Sequence, residues 1–179
     1  MKKVCVLNFS ESKLLQKITE DMQSFGLAKI KYIKDMEIIK NTHFPVGKYD
    51  LIITENYFAN LHNKIKINEN LINLHYSLLP AFATENPISD AYRYGSKVSG
   101  ITVHTINENG GVKNIIAQYP ILISNLTPFN EFEQEIKDLG FLVYPVVITK
   151  ILEDKVFDFQ DLFKTKNSCA KCNGKCNCH

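Results

Sequence analysis

A chain of 179 residues, 45% hydrophobic and 22% charged, is long enough to bury the core of one ordinary domain. Its net charge of +2 comes from scattered lysines without a basic, aromatic-interleaved stripe, so nucleic acid is not the favoured partner. No run approaches the roughly 20 apolar residues of a membrane span, and MKKVCVLNFSESK lacks a cleavage-site pattern, so a cytoplasmic location is expected. In chain order, KVCVLNF (Lys3–Phe9) reads as a strand buried on both faces, with Cys5 an inert core thiol. Ser10 is the expected cap of a helix with Glu11 in its first turn. Leu14, Ile18, Met22 and Phe25 recur at helical spacing, and Gly26 supplies the stop. AKIKYI (Ala28–Ile33) alternates like a second strand. Lys34 to Lys48 has no clear period and ends in a turn marked by Pro45 and Gly47. DLIIT (Asp50–Thr54) and LINLH (Leu71–His75) are the third and fourth strands, separated by polar sequence suited to a loop and a short helix.

After Pro80 a helix is expected to begin at Pro87 and end at Gly95. GITVHTI (Gly100–Ile106) pairs as a hairpin with NIIAQYPILI (Asn114–Ile123). Thr127 as cap and Pro128 at the first helical position open a long helix with Phe132, Ile136, Leu139 and Val143 on one face, kinked by Pro145. KVFDF (Lys155–Phe159) reads as a last strand. Strands alternating with helices imply an α/β domain over residues 1–163, a mostly parallel sheet with helices on both faces. A short Cys-rich tail, residues 164–179, completes the chain.

In such sheets, sites form outside the carboxyl ends of the strands, and His75 ends one. Residues two apart on a strand share a face, so Asn73 and His75 project side by side. An amide can donate to a developing oxyanion and an imidazole can move a proton near neutral pH. The same pair could equally satisfy backbone groups at a strand terminus.

NLHYSLLPAF, AYRYGSKVSGITVH, IIAQ and LVYPVVITKIL, in this order and spacing, together resemble the formyltransferase family that uses 10-formyltetrahydrofolate. The likeness is to its phosphoribosylglycinamide formyltransferase and formyltetrahydrofolate deformylase branches, and LLPAFATENPISDAYRYGSKVSG is particularly similar to the deformylase version. The resemblance implies a Rossmann-like formyltransferase fold in which Asn73 stabilises a tetrahedral oxyanion while His75 carries a proton between the attacking group and the departing folate nitrogen. It places His104 near the same cleft, although a strand histidine can also serve architecture alone. The family's third catalytic residue, an aspartate in a loop of the type DxGxDTGPIIxQ, falls here on Gly111, with Glu108 and Asn109 the nearby carboxylate and amide. The glycine-rich loop SGxGSNL becomes NFSESKL, where Phe9 and Glu11 obstruct and repel a phosphate. The folate-side YMRIL becomes YFANL, leaving Phe58 and Leu61 to line an apolar pterin pocket.

Three readings follow: a folate-dependent formyl transferase or hydrolase with an altered acceptor, a catalytically impaired descendant that binds a ligand, and a metal-linked module with a vestigial cleft. The last is suggested by CAKCNGKCNCH, whose spacing C-x-x-C-x-x-x-C-x-C with an adjacent histidine suits a metal. Cys169, Cys172, Cys176, Cys178 and His179 would hold zinc, copper or an iron–sulfur cluster, with Gly174 letting the chain fold back. The alternative is a thiol-rich end that merely oxidises. A metal clip there would stabilise the C-terminus or dock a partner protein.

Overall fold

The computed structural model of the chain describes residues 1–9, 11–34, 46–56, 70–107, 109–124 and 126–158. Among them, in order, are β1 (Lys2–Leu7), α1 (Lys13–Ser24), β2 (Ala28–Ile33), β3 (Leu51–Glu55), β4 (Leu71–His75), α2 (Pro87–Tyr94), β5 (Val98–Ile106), β6 (Val112–Leu122) and α3 (Phe129–Leu152). One six-stranded sheet runs β2-β1-β3-β4-β5-β6. β1 pairs parallel with β2 and β3, and β3 with β4, whereas β4–β5 and β5–β6 are antiparallel. The mostly parallel α/β architecture is therefore present, and the expected β5–β6 hairpin forms its edge.

Alternation along the strands divides the core in two. Val4, Val6, Leu51, Ile53, Ile72 and Leu74 meet Leu14 and Ile18 of α1 and Phe132, Ile136 and Tyr144 of α3. Ile88 and Tyr92 of α2 pack against the same side. Cys5, Leu7, Ile33, Ile52, Leu71 and Ile106 form a second core on the opposite face, equally closed to solvent. Burial pushes the Cys5 thiol up to about 12, so it is inert as expected.

Several local expectations shift. The cap of α1 is Ser12, whose Oγ accepts from Leu15 N at 3.1 Å, and Glu11 turns the chain at φ 55° just before it. Pro128 is the cap of α3 and Phe129 its first residue; the helix continues through Pro145 to Leu152. Leu139 packs at the edge of this core as expected, and the buried position beside it is Gly140. A Cβ at Gly140 would lie 3.1 Å from Leu74 Cδ2, so the missing side chain brings the helix close to β4. Tyr144 fixes that approach, its buried hydroxyl donating to Thr54 O at 2.8 Å and Ile72 O at 3.2 Å. Gly100 has a similar role in the sheet, because a Cβ there would come 2.0 Å from the Tyr119 carbonyl oxygen. Lys155 to Asp158 form no strand; Lys155 N instead closes the end of α3 on Lys150 O at 2.8 Å. No described helix is long and apolar enough to cross a membrane.

Candidate active site

β4 presents Asn73 and His75 on the face of Leu71, away from the described helices α1, α2 and α3. Opposite them on β5, the antiparallel register sets His104 against Asn73 and Thr102 against His75. Thr54 lies on the other flank, paired with Asn73 in the parallel ladder. All five side chains are buried. Polar groups taken from water need internal partners, and the pairing shows where most of them are.

His104 Nδ1 faces Thr105 O at 3.0 Å, and Asn73 Nδ2 faces His104 Nε2 at 3.1 Å. A carbonyl can only accept, so Nδ1 carries the proton and Nε2 accepts from the amide. His75 Nε2 lies 3.1 Å from Phe82 O and must donate to it, which leaves Nδ1 as the basic nitrogen. Among the described residues no hydrogen bond reaches that nitrogen. Burial holds His75 below the ordinary histidine range, opposed by the bond to Phe82. Burial also lowers His104, opposed by its bond to Thr105 and aided by the neighbouring His75. Both rings are therefore neutral at pH 7.

The Phe82 carbonyl is aimed by the loop after β4. Thr102 Oγ1 donates to Ser77 O at 2.7 Å and accepts from Leu79 N at 3.0 Å. Gln118 Nε2 reaches both Leu79 O, at 2.9 Å, and Thr102 Oγ1, at 3.1 Å. Ser77 Oγ donates to Ala81 O at 2.6 Å. The loop is thus tied to β5 and β6, and the imidazole is oriented through it. Thr102 and Gln118 were not singled out from the sequence, although both sit inside the TVH and IIAQ stretches.

The structure brings Asn73, His75 and His104 together and leaves others apart. Asn109 and Gly111 lie in the β5–β6 turn, where each backbone N–H donates to Asn107 Oδ1 at 2.9 Å. Ile72 pairs with Thr105 and His75 with Thr102, so this turn stands at the opposite end of β4 from His75. At about 3.3 Å per residue, that separation is on the order of 10 Å or more. Phe58, Leu61, Glu108, Cys169, Cys172, Cys176, Cys178 and His179 lie outside the described residues. Among the described residues, no group of three or more His, Cys, Asp or Glu side chains could hold a metal.

Around the carboxyl ends of β3 and β4, between the first turns of α1, α2 and α3, lies a cavity of about 720 Å³. Glu55 stands in its wall, accepting hydrogen bonds from Ser12 Oγ and Tyr76 OH.

The family model described as "Formyl transferase" matches residues 31–148, well over half of the chain. The phosphoribosylglycinamide formyltransferase of Bacillus subtilis is 43% identical over 82 residues, 46% of this chain and 42% of the relative. A formyltetrahydrofolate deformylase of Escherichia coli is 31% identical over 136 residues, 74% of this chain and 46% of the relative. The match thus spans less than half the length of either. Among solved structures, a formyltetrahydrofolate deformylase from Pseudomonas syringae superposes with a TM-score of 0.70 at 21% identity, covering 88% of this chain and 66% of that one. The phosphoribosylglycinamide formyltransferase from Anaplasma phagocytophilum gives 0.62 at 22% identity, with 89% and 91% covered. At those identities the likeness is one of fold.

Proposed function

Since the chain belongs to the formyl transferase family, we propose that it takes the formyl group of 10-formyltetrahydrofolate and passes it to an acceptor other than glycinamide ribonucleotide, or to water. The acceptor attacks the formyl carbon, and the carbonyl oxygen becomes an oxyanion that the Asn73 amide stabilises. His75 Nδ1 takes the proton of the attacking nitrogen or oxygen. As the carbon–nitrogen bond to folate breaks, the same proton passes to the departing nitrogen. What supports this reading is the pair of hydrogen bonds that prepares each group: His104 holds the amide, and Phe82 O holds the imidazole with its basic nitrogen uncommitted.

A second reading is favoured by one observation. Gly111 stands where the family's aspartate is expected, and no described carboxylate hydrogen-bonds to His75. A neutral base oriented by a carbonyl lacks the counter-charge that would stabilise the imidazolium formed in transfer. On that reading the chain binds the folate without turning it over. Titration with a 10-formyltetrahydrofolate analogue, followed by turnover of the true compound, separates them. Formyl transfer or formate release is expected, with Asn73→Ala and His75→Ala each slowing it at least about tenfold, near 1.4 kcal/mol of barrier. Tight binding without turnover selects the second reading, and no binding overturns both.

The tail, residues 164–179, is proposed as a metal clip appended to the domain of residues 1–163. Four thiols spaced as Cys169, Cys172, Cys176 and Cys178 suit zinc, copper or an iron–sulfur cluster in a reducing cytoplasm. A clip of this kind can also dock a partner protein. Metal analysis of untagged protein, with and without residues 169–179, tests it; a metal-free full-length chain would dismiss it.

A further inference from the structure

The Phe82 carbonyl accepts a second hydrogen bond beside the one from His75. Thr84 N donates to the same oxygen at 2.8 Å, closing a tight turn over residues 82–84. Phe82 itself stands in the left-handed region at φ 51°, where a bulky aromatic side chain is rarely found. A backbone of this kind persists only where its surroundings impose it, and such residues cluster at functional sites. The turn sends the carbonyl back toward β4, where His75 Nε2 donates to it at 3.1 Å.

The contacts that impose the turn come from α2. Asp90 and Tyr94, four residues apart, share one flank of that helix. Thr84 Oγ1 donates to Asp90 Oδ2 at 2.5 Å, and the Tyr94 ring meets the Phe82 ring edge-on, with centroids 5.7 Å apart and planes at 66°. Two neighbours on the helix thus grip the two ends of the turn. Tyr94 is 81% exposed, so filling the core is not its contribution. The helix that carries both is fixed by Tyr92, whose ring packs on Phe129 and Phe132 and whose hydroxyl donates to Thr127 O at 2.9 Å.

We propose that Asp90 and Tyr94 are positioning residues for the proton acceptor: through Thr84 and Phe82 they hold the carbonyl that orients the His75 imidazole. This inference rests on the formyl-transfer reading above. Their effect is to keep the ring proton on Nε2 and the basic lone pair on Nδ1. Without the grip, residue 82 relaxes to negative φ and its carbonyl leaves the imidazole. Thr102 and Gln118 bind the earlier part of the loop, residues 77–79, so they cannot replace it.

The test follows the two imidazole N–H hydrogens by nuclear magnetic resonance in the nitrogen-15-labelled full chain without folate. His104 Nδ1, bonded to Thr105 O, is the internal reference for His75 Nε2. Asp90→Ala and Thr84→Val should each speed exchange with water at His75 at least about tenfold, as loss of one hydrogen bond would, and leave His104 unchanged. The double variant should be no faster than either single, Thr84→Ser should restore the parent rate, and Tyr94→Leu should also release His75. In turnover of 10-formyltetrahydrofolate, the same variants should lower kcat with KM held within about twofold. Unchanged exchange at His75, or equal acceleration at both rings, would overturn the proposal, as would an intact kcat in a variant whose His75 has been released. The ring measurement needs no turnover, so its failure is distinguishable from an absence of formyl transfer.

Discussion

The bond between Asn73 and His104 is the feature of the site most open to measurement. Asn73 is 1% exposed and His104 5%, so neither can turn to water when its partner is removed. His104→Leu keeps most of the volume but deprives the Asn73 amide of an acceptor at 3.1 Å. Leaving a buried donor unsatisfied costs about 1–3 kcal/mol. Asn73→Leu strands the His104 Nε2 lone pair in the same way. The double variant removes both groups, so the cost of stranding one partner of this bond is not added a second time. Urea unfolding of the four proteins should therefore give a coupling energy of about 1–2 kcal/mol, with the double variant less damaged than the sum of the singles. Turnover should show the same dependence: His104→Leu lowers kcat in the parent but changes nothing further in Asn73→Leu. Additive losses in both measurements would refute the view that His104 acts through Asn73.

His75→Gln tests the neighbouring group, because an amide can still donate to Phe82 O while offering no basic nitrogen. Stability should stay within about 1 kcal/mol while turnover falls at least about tenfold; a large loss of stability with intact turnover would contradict the assignment. The two histidines also make stability depend on pH. Their folded pKa values lie below the ordinary value of about 6.5, so the unfolded chain takes up protons first as pH falls. Stability should be level in this respect above about pH 7.5 and decline as pH drops through 6.5, by at most about 1.4 kcal/mol per pH unit for each group. His104→Leu should reduce that slope, and a stability that rises on acidification would contradict it. Thr102→Val keeps the shape but removes the acceptor of Leu79 N and the donor to Ser77 O. Faster amide exchange at Leu79 and a loss of about 1–3 kcal/mol are expected, and unchanged exchange would count against the loop being held by this hydroxyl.

Much of the fold was legible because its signals are local. The alternating run at Ala28–Ile33 and the strand Leu71–His75, buried on both faces, were delimited correctly, since each is short and follows a polar or turn-forming stretch. Gly95, in the left-handed region at φ 75°, ended α2 as read. The cap of α1 was misplaced because Ser10 and Ser12 are equivalent by type; only tertiary contacts with Asn8 and Glu55 distinguish Ser12. Gly140 went unremarked on α3 because hydrophobic periodicity does not register a position chosen for close approach. In the site, Asn73 and His75 stood out through their spacing, while Thr102 and Gln118 act across strands and carry no local signal. Glu55 was invisible for the same reason: its partners lie 43 and 21 residues away.

The contrast between the two histidines bears on whether this site does chemistry. A histidine kept for architecture should have its ring nitrogens engaged, because a buried polar atom without a partner is costly. His104 fits that description, with Nε2 on Asn73 and Nδ1 on Thr105. His75 does not: the loop that Thr102 and Gln118 tie down secures Nε2, while no described hydrogen bond reaches Nδ1. Orienting one nitrogen through a carbonyl while leaving the other basic is the arrangement a general base requires. The same strand ends carry Glu55, locked in place by Ser12 and Tyr76. The aimed base and the tied loop support the proposed formyl transfer over a vestigial cleft.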